Sequence, residues 1–133
     1  FLGHAVVVDA VGRADIERLA DATGASYLRC GGAEGWHLGA AEARGDWLFL
    51  LESGDVPQLH WAQAVERHLM MAPDTPALIP LRGVAGSLRE RAAISFGPRR
   101  LRPGLVVPKG HVLAGRLGAA PRRLTVRRER AGG

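Results

Sequence analysis

A chain of 133 residues with 47% apolar residues is the size of one domain with a modest core, so a single unit over 1–133 is expected. Net charge is +5 but uneven: residues 1–81 hold five Arg against eleven Asp or Glu, residues 82–133 thirteen Arg or Lys against two Glu. The single Cys30 excludes an internal disulfide, and no apolar run is long enough to cross a bilayer.

The opening FLGHAVVVDA carries neither a basic segment nor a long apolar one, which predicts a cytoplasmic chain without a leader. His4 to Ala10 contains three consecutive valines and reads as a buried strand. Ala14 to Thr23 sets Ile16, Leu19, Ala20 and Thr23 at helical spacing, and Gly24 stands where helices stop. Ser26 to Cys30 predicts a second strand, broken by Gly31 and Gly32, and Gly35 to Arg44 a helix of small residues. After the strand Trp47 to Leu51, Trp61, Val65, His68 and Leu69 share one helical face, closed by Pro73 and Pro76. Ala77 to Leu81 predicts a fourth strand. Beyond Arg82 the pattern weakens: a helix over Ser87 to Ile94, a strand at Leu105 to Val107, a helix over His111 to Leu117 and a last strand at Leu124 to Val126, with a frayed tail RRERAGG.

The stretch GDWLFLLESGD, Gly45 to Asp55, organises this layout. Five large apolar residues run into the turn Glu52-Ser53-Gly54-Asp55, as in a strand buried on both faces. Ligands collect at the carboxyl ends of such strands in open α/β sheets, although the same acids could simply solvate a turn. Alternation of strands and helices up to residue 55 predicts an α/β fold with a small, open, mostly parallel sheet flanked by helices.

Residues 31–61, GGAEGWHLGAAEARGDWLFLLESGDVPQLHW, resemble the nucleotide-sugar half of family-two glycosyltransferases, which have a Rossmann-like GT-A fold. The shared features are the Ala-rich helix around Gly39, Gly45-Asp46-Trp47, the apolar strand, the acidic turn and Trp61. VVVDAVGRADIERLADATGASYLR is similar to that family's second strand and helix. The resemblance implies that residues 1–81 bind a nucleotide-diphosphate sugar, with Asp9 on the nucleoside. It further implies that Glu52 and Asp55 hold a divalent cation, Mn or Mg, and the diphosphate, and that Lys109 or a nearby Arg steadies the phosphates. A hard cation held by carboxylate oxygens would neutralise the leaving group.

Several residues depart from that family's pattern. Glu52 and Gly54 fall at its Asp-x-Asp positions, so the second carboxylate is displaced to Asp55. Its Arg-Asn pair falls at Trp36-His37, and GAAPRRL has no acid where relatives carry the catalytic base. The family's first strand has no counterpart before Phe1, which implies an incomplete sheet whose edge a partner could cover. The alternative function is therefore a non-catalytic interaction or assembly subunit. Its Arg-rich second half (Arg99, Arg100, Arg102, Arg122, Arg123, Arg127, Arg128) would dock on an acidic protein or on the anionic inner face of a membrane. Low aromatic content argues against nucleic acid bound by stacking. The histidines have no metal-ligand spacing, and His68 lies on an apolar stripe, as a core histidine would.

Overall fold

The computed structural model describes residues 4–30, 34–52, 54–83, 88, 90 and 100–130. It is a mixed α/β fold. Strands β1 (Val6–Asp9) and β2 (Ser26–Arg29) pair in parallel across helix α1 (Ala14–Thr23). Gly24 closes α1 in the left-handed conformation, its N–H reaching the carbonyls of Ala20 and Asp21. Helix α2 (Gly35–Glu42) then leads to β3 (Trp47–Phe49).

The expectation of a mostly parallel sheet does not hold. β3 runs antiparallel to β6 (Leu105–Pro108), which is antiparallel in turn to β5 (Ala77–Leu78), and only β7 (Arg122–Arg123) joins β5 in parallel. The order is β3-β6-β5-β7, separate from the β1-β2 pair. The late strand Leu-Val-Val-Pro, fully apolar, lies between β3 and β5 and is antiparallel to both, which sets the direction of this sheet. A third small sheet pairs β4 (Asp55–Pro57) antiparallel with β8 (Arg128–Arg130). The expected frayed tail is therefore a strand as far as Arg130, and the strand expected at Leu124–Val126 is replaced by β7 and β8 on either side of it.

Side chains of the four-stranded sheet alternate between two apolar layers, as strand geometry requires. Leu48, Leu50, Leu78, Leu105 and Val107 meet Ala40 of α2, Val112 of α4 (Lys109–Ala114) and Leu117. Trp47, Phe49, Ala77, Ile79 and Val106 meet Val65 and Trp61 of α3 (Trp61–Met71). Phe49 and Trp61 pack with their rings tilted by 45° and their centroids 5.1 Å apart. The sequence reading of α3 holds: Val65 and His68 are its buried residues. Of the helix expected over Ser87–Ile94, only Leu88 and Glu90 lie among the described residues. Among the described residues no helix is long and apolar enough to cross a membrane.

Candidate functional site

The acidic turn follows β3 as expected, at the strand's carboxyl end. Leu50 extends the ladder, donating to Leu105 O at 2.8 Å and accepting from Gly104 N at 2.7 Å. The turn is then closed by Asp55 N donating to Glu52 O at 3.0 Å, with Gly54 at φ 91°, a conformation glycine takes without strain. Glu52 is exposed, whereas the side chain of Asp55 is fully enclosed.

Asp55 faces inward. Its Oδ2 accepts the Glu52 N–H at 3.1 Å and lies 3.4 Å from Arg128 Nε. Arg128, 1% exposed, is the largest fully buried side chain. Its Nη1 donates to Ile79 O at 2.9 Å, and Nη1 and Nη2 reach Glu90 Oε2 at 3.0 and 2.7 Å. Glu90 Oε1 in turn accepts Leu81 N–H at 2.7 Å. One guanidinium thus serves two carboxylates and a carbonyl. Burying such charges is tolerated only when they are paired and hydrogen-bonded, and here they are. A shared divalent cation needs both turn carboxylates offered to one site. Glu52 is exposed, and the Asp55 carboxylate lies against the Arg128 guanidinium. Among the described residues no three His, Cys, Asp or Glu side chains group as metal ligands.

The other expected ligand-binding residues also have structural partners. Lys109 donates from Nζ to Ala43 O at 2.7 Å and from its backbone N to Asp46 O at 2.8 Å. It caps the carbonyl end of α2, where a cation is favoured, and ties that end to α4. Asp9 accepts N–H groups from Arg13 at 2.7 Å and Val11 at 3.1 Å, and the Tyr27 hydroxyl at 2.8 Å. The Arg13 N–H, then the Tyr27 hydroxyl, hold the Asp9 carboxyl at about 2, below its ordinary 3.8. Burial, then Asp9 itself, pushes the Tyr27 phenol up.

Because the folded-state value is depressed, Asp9 contributes stability that is complete above the unfolded value and is lost as pH falls toward 2. Asp9→Asn should flatten the acid limb of stability between about pH 4 and pH 2 relative to the native chain. Urea midpoints measured across that range check this; parallel acid limbs would refute the role of Asp9.

The histidines also lie apart. His68, 3% exposed, donates from Nε2 to Thr75 O at 2.6 Å, and His37 donates from Nδ1 to Leu113 O at 3.2 Å. His4 Nε2 is 2.9 Å from Ser26 Oγ, at the rim of a cleft of about 320 Å³ also lined by Thr23 and Arg44. That cleft lies at the amino ends of β1 and β2, the opposite end from Asp9. The sequence reading missed the Arg128–Glu90–Asp55 cluster. A period-two signal was available: Leu124, Val126 and Arg128 alternate with more exposed neighbours.

No protein-family model, no curated protein and no solved structure matches this chain.

Proposed function

We propose that this chain is a glycosyltransferase-like α/β domain that acts as a non-catalytic assembly subunit, docking on an acidic protein through its Arg-rich second half. The observation that carries this reading is the enclosed Asp55–Arg128 pair, which commits the displaced turn carboxylate to the protein's own cation. The charge balance of the second half supports it too. Among the described residues its two acids are both taken up internally, Glu90 by Arg128 and Glu129 by Arg82. The exposed Arg100, Arg116 and Arg122 have no ion-pair partner among the described residues. Arg128, by contrast, is withdrawn from any docking surface.

Poly-L-glutamate at low salt probes this surface. Three exposed charges at about 0.5 kcal/mol each amount to roughly a tenfold change in affinity. Arg100→Ser, Arg116→Ser and Arg122→Ser together should weaken binding about tenfold and flatten its salt dependence. Undiminished binding by the triple variant would remove the docking proposal.

A further inference from the structure

We propose that the cleft at the amino ends of β1 and β2 binds a free α-amino acid, its carboxylate on Arg44 and Ser26 and its ammonium group at the carboxyl end of α1. His4 Nδ1, at the edge of this cleft, is buried and meets no hydrogen-bond partner among the described residues. A proton there would be a buried donor with nothing to accept it, so the ring carries its proton on Nε2. Nε2 therefore donates to Ser26 Oγ at 2.9 Å. That is the only hydrogen bond of the Ser26 side chain among the described residues, which leaves the hydroxyl proton to donate into the cleft. The direction of the bond also rules out activation of Ser26 by His4, since a general base must accept that proton. The pair binds and does not cleave.

Arg44, exposed between α2 and β3, brings a positive charge to the same cleft. All thirteen Asp and Glu lie among the described residues, and none of them forms an ion pair with Arg44. The undescribed residues of this chain hold no acidic side chain, so none of them can supply the missing carboxylate. The anion has to come from a ligand. A guanidinium and a hydroxyl side by side hydrogen-bond both oxygens of a carboxylate.

The opposite wall has the other polarity. Helix α1 brings its carboxyl end to the cleft through Thr23 and Gly24. That end is the negative pole of the helix, and its last turn carries Asp21 and no basic residue to offset it. Thr23 Oγ1 already donates to Leu19 O and Ala20 O at 2.9 and 3.2 Å, leaving only its lone pairs for the cleft. The N–H groups of Gly24, Ala25 and Ser26 are likewise taken, by Ala20, Asp21 and Ala5 carbonyls. This wall accepts and does not donate. A phosphate dianion would face it unscreened, whereas an ammonium group beside a carboxylate satisfies both walls. An α-amino acid carries the two groups on one carbon, and about 320 Å³ holds a small one, with only the methyls of Ala5 and Ala25 to meet its side chain. The site uses none of the docking arginines, so poly-glutamate binding can fail while amino-acid binding stands, and the reverse.

Amide chemical shifts of Thr23, Gly24, Ala25 and Ser26, followed by NMR through a titration with L-alanine, test the proposal. They should move together and saturate with a Kd in the millimolar range. Acetate and methylamine, each one half of the ligand, and inorganic phosphate should all bind at least about tenfold more weakly. L-alanine should lose at least about tenfold in affinity on Arg44→Gln, an exposed position that leaves the fold intact, and on Ser26→Ala. No saturable shift, equal binding by any of the three comparison ligands, or undiminished binding by Arg44→Gln would each overturn it.

Discussion

Arg128→Ala should destabilise the fold by about 3–5 kcal/mol, the cost of leaving buried charge without its partner. The substitution removes the cation that faces Glu90 at 2.7 Å and Asp55 at 3.4 Å, where both partner side chains are almost wholly enclosed. It also removes the donor to Ile79 O. Three places lose their common fastener at once: the acidic turn with β4, Glu90, and the end of β5, where Arg128 N still donates to Pro80 O at 2.9 Å. Urea denaturation measures the loss. Replacing the cluster together, by Arg128→Met, Glu90→Leu and Asp55→Asn, should recover most of it, because an uncharged set removes the desolvation cost of buried charge while an asparagine at the turn can still accept from the Glu52 N–H. A loss below 1 kcal/mol on Arg128→Ala would mean that the cluster is hydrated rather than sealed.

Gly104→Ala should cost about 2–5 kcal/mol, summing the penalty of a left-handed non-glycine residue and that of overpacking. Gly104 sits at φ 92°, and a Cβ there would lie 2.8 Å from Ile79 O and 2.7 Å from Arg128 Nη1. It cannot easily move, since its N–H is bonded to Leu50 O and its C=O accepts from Ile79 N. Because the intruding methyl meets the same guanidinium, Gly104→Ala combined with Arg128→Ala should cost less than the sum of the two. Strict additivity in a double-mutant cycle of urea midpoints would separate the two sites.

Residues 4–30 were readable because their signals are local: three valines, a helical stripe and Gly24 lie within one crossover, and β1-α1-β2 forms as the pattern implies. Helix α3 was readable for the same reason, down to His68 as a core residue. The ribbon Trp47–Leu51 was recognisable as a strand but not in its direction of pairing. Its partner lies at Leu105–Pro108, and nothing local distinguishes a parallel from an antiparallel neighbour so distant. The tail was misread because RRER looks solvated, yet Arg128 continues the inward positions of Leu124 and Val126 and finds its acids in distant segments. The contact of Asp55 with Arg128 was not legible for the same reason: spacing gives position along the chain, whereas the cation beside Asp55 comes from residue 128.

The most direct measurement of the central claim is the thermal midpoint with nucleoside diphosphates and Mn²⁺ or Mg²⁺ at millimolar concentration, for the native chain and for Glu52→Ala. A ligand that binds only the folded state at a hundred times its Kd would stabilise it by about 2.7 kcal/mol, a shift readily seen. With Asp55 held by Arg128, the midpoints should stay the same in every combination of nucleotide and metal. A rise that requires both, and that Glu52→Ala abolishes, would contradict the account and restore a sugar-donor site at the end of β3.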